Sequence, residues 1–198
     1  MKKILVVLAA LLLILSLAAC GKQSAPSEIS LPAGQKLFHA EITVKNYGTV
    51  KLELDAETAP ITVANFVSLA KQGFYDGLTF HRIIDGFMIQ GGAPNSSSKI
   101  TPKTIKGEFK SNGVENPIKH VPGVISMARA NDKNSASSQF FIMVGTAPHL
   151  DGNYAAFGHV TEGLEIVQKI AKDAKPVDNN GTIPAAQQPV IEKVVITD

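Results

Sequence analysis

Residues Phe80–Gly92 read FHRIIDGFMIQGG, and Ser138–Ile142 read SQFFI. In the first stretch two apolar runs flank the turn pair Asp85-Gly86, so two short strands meet there. Phe80, Arg82 and Ile84 fall on one face of the first strand, while Phe87 and Ile89 alternate with Met88 and Gln90 on the second. Arg82 and Gln90 are thereby expected near the inner ends of the two strands, beside exposed Phe and Met. Apolar walls with a few placed donors describe a binding site. A core hairpin carrying a surface arginine fits the same pattern, and periodicity alone leans that way.

Outward from this hairpin the pattern is that of many short strands. Phe38, Ala40, Ile42 and Val44 alternate with polar residues, and after Asn46-Tyr47-Gly48 the alternation resumes at Val50, Leu52 and Leu54, which predicts a half-buried hairpin. Pro60 and Gly73 bracket a helix with Val63, Phe66, Val67 and Ala70 on one face. Further strands are predicted over 78–84, 87–90, 121–127, 140–144, 155–160 and 190–197, with a second helix over 164–171. Eight strands and two helices in a mainly β chain predict a closed antiparallel barrel capped by the helices, since closure removes sheet edges. Two long polar connections remain. Residues 93–116 follow Gly91-Gly92, where they could wall a groove, and 173–188 read as a solvated excursion.

The 198 residues are 44% hydrophobic and 18% charged, the profile of an ordinary globular domain. Lys2 and Lys3 precede an unbroken apolar run from Ile4 to Leu15, which is short for a membrane span and reads as a secretory signal over 1–19. The only cysteine closes it, in Leu17-Ala18-Ala19-Cys20, and that placement resembles a bacterial lipoprotein box. The resemblance implies a lipid on Cys20 and anchoring to the membrane outside the cytoplasm. Residues 20–36 then read as a flexible tether, and 37–198 as the domain. Losing Lys2 and Lys3 takes the formal charge from +2 to zero, so the balance gives no support to a nucleic-acid partner.

The motifs around the opening stretch carry a resemblance of their own. Gly123–Arg129 (GVISMAR), SQFFI, Leu150-Asp151-Gly152 and Phe157-Gly158 follow FHRIIDGFMIQGG in order. Together they resemble the cyclophilin family of peptidyl-prolyl cis/trans isomerases, and MARANDKNSASSQFF is similar to its bacterial branch. The resemblance implies the eight-stranded barrel, with the site on one outer face. It also implies Arg82 as the catalytic group, a proline pocket of Phe87, Met88, Phe141 and Leu150, and Gln90 and Gln139 as hydrogen-bonding partners of the peptide. The backbone at Ala128 and Arg129 would pair with the peptide in extended form. His149 and Tyr154 form the rim, where the family commonly has tryptophan and histidine. Both keep a ring with a polar handle, so activity is expected to survive the exchange, whereas affinity for cyclosporin is not implied.

The implied partners are proline-containing segments of unfolded or exported polypeptides, met by a monomer that needs no cofactor and no metal. The five histidines show no ligand spacing, Gly91-Gly92 lacks the rest of a phosphate loop, and Ser137 and Ser138 lack a nucleophile elbow. Isomerisation suits such a chain because it cleaves no bond and requires no nucleophile.

Overall fold

The computed structural model describes residues 34–198; the signal, Cys20 and most of the tether lie outside the described residues. The first hairpin forms as its alternation dictates. Strands β1 (Leu37–Val44) and β2 (Gly48–Asp55) pair antiparallel from Leu37–Asp55 to Val44–Gly48. Phe38, Ala40, Ile42 and Val44 point inward with Val50, Leu52 and Leu54, all buried. Helix α1 (Pro60–Lys71) begins at its proline and turns Val63, Phe66, Val67 and Ala70 inward. Its first amides are capped from a distance. The buried Glu108 carboxylate accepts from Ile61 N at 3.0 Å, Thr62 N at 2.8 Å and Thr62 Oγ1 at 2.7 Å, which satisfies orphan donors and places a negative charge at the helix N-terminus.

Strands β3 (Phe80–Ile84), β4 (Met88–Gly91), β5 (Val124–Met127), β6 (Phe140–Met143), β7 (Ala156–Glu162) and β8 (Ile191–Ile196) complete one antiparallel sheet, ordered β3-β4-β6-β5-β7-β2-β1-β8. Helix α2 (Leu164–Asp173) adds Val167, Ile170 and Ala171 to the same core. At the centre of that core Phe66 meets Tyr75, Phe140 and Phe157 at centroid distances of 5.1, 5.6 and 5.5 Å. Burying each such ring contributes roughly 1.5–3 kcal/mol.

The closed barrel expected from the sequence is instead an open, curled half-barrel. Its edge strands β3 and β8 meet only where they begin, at the isolated bridge Thr79–Val190, with Phe80 N donating to Pro189 O at 2.9 Å, Ile191 N to Leu78 O at 2.8 Å and Gly77 N to Ile191 O at 2.8 Å. The rest of the outer edge of β3 is taken by the connection after α2. Ile83 N donates to Gly181 O at 2.8 Å and Ile183 N to His81 O at 3.0 Å. The segment read as a solvated excursion thus covers a sheet edge, and it buries Ile183 in the core. An edge already covered cannot also pair with β8.

Strand β3 also departs from simple alternation. Its register with β4 shifts between Phe80 and Arg82, so Phe80 and Ile83 both enter the core while Arg82 and Ile84 face outward. An extra residue in one strand resets which face each side chain takes. Strand β6 is buried on both faces. Phe140 and Ile142 point into the main core, whereas Phe141 and Met143 join Met88, Val124, Ala147 and Leu150 in a second apolar cluster on the outer face. That outer cluster is the floor on which the site stands.

Candidate active site

A groove of about 520 Å³ opens over the outer cluster. Arg82, Phe87, Met88, Gln90, Arg129, Phe141, His149, Leu150 and Tyr154 line it, together with Asn153, which the sequence did not point to. Of the other residues singled out, Ala128 packs against the apolar floor. Gln139 stands one step behind the groove, its Oε1 accepting from Gln90 Nε2 at 3.0 Å.

Arg82 and Gln90 are register partners on β3 and β4, so their side chains leave the sheet together. Arg82 Nη1 donates to Gln90 Oε1 at 3.1 Å and lies 3.8 Å from Met88 Sδ, while Nε donates to the carbonyl of Asn180 at 2.8 Å. Two of its three nitrogens are thereby fixed. Among the described residues Nη2 has no hydrogen-bond partner and no carboxylate pairs with the guanidinium. A guanidinium held by neutral acceptors keeps its full charge and a free pair of donors.

The aromatic walls are fixed from behind. Phe141 meets Tyr154 edge to face at 5.9 Å, and Phe87 lies 6.0 Å from His149 at the mouth. On its other side Phe141 stacks on His120, with ring centroids 6.0 Å apart and planes 21° apart. His120 is itself buried. Its Nδ1 is 3.0 Å from Asp151 Oδ1, its Nε2 is 3.1 Å from Ser126 Oγ, and its backbone N–H donates to the same carboxylate oxygen at 2.9 Å. Burial lowers the imidazole's pKa from its ordinary 6.5, against the pull of Asp151. Burial would raise the Asp151 pKa, but the His120 amide, its ring and Lys119 together hold it below the usual carboxylate value. The neutral ring therefore donates from Nδ1 and accepts the Ser126 hydroxyl at Nε2.

The family model described as "Cyclophilin type peptidyl-prolyl cis-trans isomerase/CLD" matches residues 39–198. The chain belongs to the cyclophilin family. Peptidyl-prolyl cis-trans isomerase B of Bacillus subtilis (strain 168) is 48% identical to it over 123 residues, covering 62% of this chain and 82% of that protein. A peptidyl-prolyl cis-trans isomerase of Helicobacter pylori (strain ATCC 700392 / 26695) is 46% identical over 134 residues, covering 66% and 80%. Among solved structures, a cyclophilin-type peptidyl-prolyl cis-trans isomerase of Cryptosporidium parvum superposes with a TM-score of 0.69 at 29% identity, over 82% of this chain and 98% of that one. This cyclophilin is accordingly a peptidyl-prolyl cis-trans isomerase.

Besides Asn153, three contributors to the cyclophilin's groove escaped the sequence reading. Asn180 acts through a backbone carbonyl, which no side-chain pattern announces. Phe109, from the first long connection, lies under the Arg129 guanidinium at 5.1 Å, so that connection does support a wall. His120 has no metal-ligand spacing in the sequence, and its partners Ser126 and Asp151 come to it only once β5 and the rim are folded. His81 has a buried Nδ1 without a hydrogen-bond partner among the described residues. Burial, and then the Arg82 charge, lowers its pKa.

His120 supports a prediction on stability and pH. Between pH 7 and 5 the unfolded chain takes up a proton at this imidazole that the folded chain resists, so stability falls as pH drops. His120→Asn should flatten part of that decline in thermal melts, leaving the part due to His81. It should also raise KM about 10-fold with a smaller change in kcat, because Phe141 and the rim lose their backing. A wild-type melting temperature constant from pH 7 to 5 would contradict this account.

Proposed function

We propose that this cyclophilin turns X-Pro bonds in exported polypeptides, with Arg82 as the catalytic group, while anchored to the membrane outside the cytoplasm by lipid on Cys20. The observation that carries the catalytic part is the pair of free donors on Arg82 Nη2 at the head of an apolar groove. Rotation about an X-Pro bond breaks amide resonance, over a barrier of about 18–20 kcal/mol, and takes tens to hundreds of seconds uncatalysed. In the twisted state the proline nitrogen regains a localised lone pair. A guanidinium N–H binds that nitrogen better than it binds the planar amide, which is differential stabilisation of the transition state.

Arg82 does not act alone in this reading. Shortening about 50 s to about 10 ms corresponds to roughly 5 kcal/mol, and one charged hydrogen bond contributes about 1.5–3 kcal/mol. The remainder comes from seating the proline ring on Phe87, Met88, Phe141 and Leu150 while Gln90 and Gln139 orient the chain, so that only the carbonyl half turns. Strand-like pairing of the peptide with the backbone at Ala128 and Arg129 fixes its direction, and His149 and Tyr154 close the rim. Proline-containing segments as partners gain support from a Cryptosporidium parvum cyclophilin solved in the presence of the dipeptide Ala-Pro.

The anchor rests on sequence: Lys2-Lys3, the apolar run Ile4–Leu15 and Leu17-Ala18-Ala19-Cys20. A monomer tethered by residues 20–36 would meet chains as they emerge. The test is metabolic labelling with a radioactive fatty acid, followed by membrane fractionation. The full chain is expected to carry label and sediment with membranes, and Cys20→Ala to do neither. Label on both proteins would refute the lipidation site, and an unlabelled cytoplasmic wild type would refute the location.

A further inference from the structure

Two guanidinium groups line the groove, Arg82 and Arg129, and no carboxylate does. Arg129 is held more firmly than a surface arginine needs to be. Its guanidinium lies between two rings, 4.7 Å from the Tyr154 centroid and 5.1 Å from that of Phe109. Nε and Nη2 both donate to Asn153 O, at 3.1 and 2.9 Å, and Nη1 donates to Ala130 O at 2.9 Å and Asn131 O at 3.3 Å.

All of those acceptors are backbone carbonyls. They fix the charge in place without neutralising it, and two flanking aromatic rings favour a cation further. The rim's own acid is turned elsewhere: Asp151 faces the His120 ring and amide and lies 3.5 Å from Lys119 Nζ. Among the described residues Arg129 forms no ion pair with a carboxylate. The groove therefore presents a fixed, uncompensated positive field to whatever lies in it.

We propose that this field makes the isomerase selective for proline segments carrying an acidic side chain within two residues of the proline, and that Arg129 is the residue that selects them. The inference rests on the groove being the substrate site. Arg82 is committed to the turning bond, and a substrate carboxylate drawn onto it would occupy the donors that the proline nitrogen needs. Arg129, whose charge no carboxylate pairs and the turning bond does not need, is the cation left to attract a substrate side chain. An amide would gain no net attraction there, and a lysine would be repelled.

The experiment compares three peptides identical except for Glu, Gln or Lys two residues before the proline, and a second set varied at the residue after it. Interconversion catalysed by the soluble domain is followed by exchange NMR. At about 10 mM salt kcat/KM should rank Glu above Gln above Lys in at least one set, with Glu about fivefold above Gln, the scale of a partly exposed ion pair. In 1 M salt, where screening acts within about 3 Å, the ratio should fall below about twofold. Arg129→Gln should bring the Glu-to-Gln ratio to near one, and Arg129→Lys should retain most of it. Equal rates for all three peptides at low salt in both sets, or a preference that persists in Arg129→Gln, overturns the proposal. Should that variant fail to fold, the wild-type salt series decides: a preference unchanged in 1 M salt overturns it. Activity on the Gln peptides with no preference removes the selectivity alone, whereas no activity on any peptide removes the substrate groove with it.

Discussion

Arg82→Ala should lower kcat/KM for a proline tetrapeptide about 100-fold while the domain stays folded. The size follows from what is removed. Deleting a preorganised donor aimed at charge that develops only in the transition state costs at least about 2.7 kcal/mol, or about 100-fold, near the top of the range for one charged hydrogen bond, and Arg82 is held for that purpose by Asn180 O and Gln90 Oε1. The small effect on folding follows from where it stands. Arg82 is half-buried on the outer face, outside the apolar core, so its loss should lower stability by about 1 kcal/mol and the melting temperature by about 2–4 °C. Arg82→Lys separates charge from geometry. An ammonium has no planar fork with which to hold Asn180 O, Gln90 and the substrate at once, and it should recover less than a tenth of the lost rate. Equal rates for wild type and Arg82→Ala would remove Arg82 from the mechanism, whatever the fate of the fold.

The sequence disclosed this site well where its residues are contiguous and act through side chains. FHRIIDGFMIQGG carries Arg82, Met88 and Gln90 on two adjacent strands with Phe87 in the turn between them, and SQFFI carries Phe141 on the strand beside them with Gln139 just before it. Alternation was also a sound guide to β1 and β2, because burial of one face enforces a period of two. It failed at β3, where a bulge places Phe80 in the core and Arg82 outside it. It failed again for closure. Eight strands suggest a closed barrel, but the outer edge of β3 is occupied by Gly181–Ile183, a pairing written in no local pattern. His120 illustrates the remaining gap. Its three polar contacts join residues up to 31 positions apart, and a lone histidine in Lys119-His120-Val121 gives no sign of them.

That covered edge leads to the second large effect, Gly181→Ala. Gly181 has φ +85°, and a Cβ added to it would lie 2.6 Å from Ile83 O and 2.5 Å from Ile84 Cγ1. Neither the left-handed backbone nor the space suits a side chain, and together they should lower stability by about 2–4 kcal/mol. The more informative consequence is catalytic. Gly181 O accepts from Ile83 N, and the preceding residue, Asn180, supplies the carbonyl that holds Arg82 Nε. Moving this segment away from β3 takes that acceptor with it and leaves the guanidinium fixed only by Gln90. Gly181→Ala should therefore lose about 10-fold or more in kcat, measured well below its own melting temperature, with KM changed much less. Asn180→Ala is the matching control. It removes the side chain but keeps the carbonyl, and should retain nearly full activity. A Gly181→Ala protein as active as wild type would mean that Arg82 is positioned without the Asn180 carbonyl, and a crippled Asn180→Ala would assign the effect to the amide side chain instead.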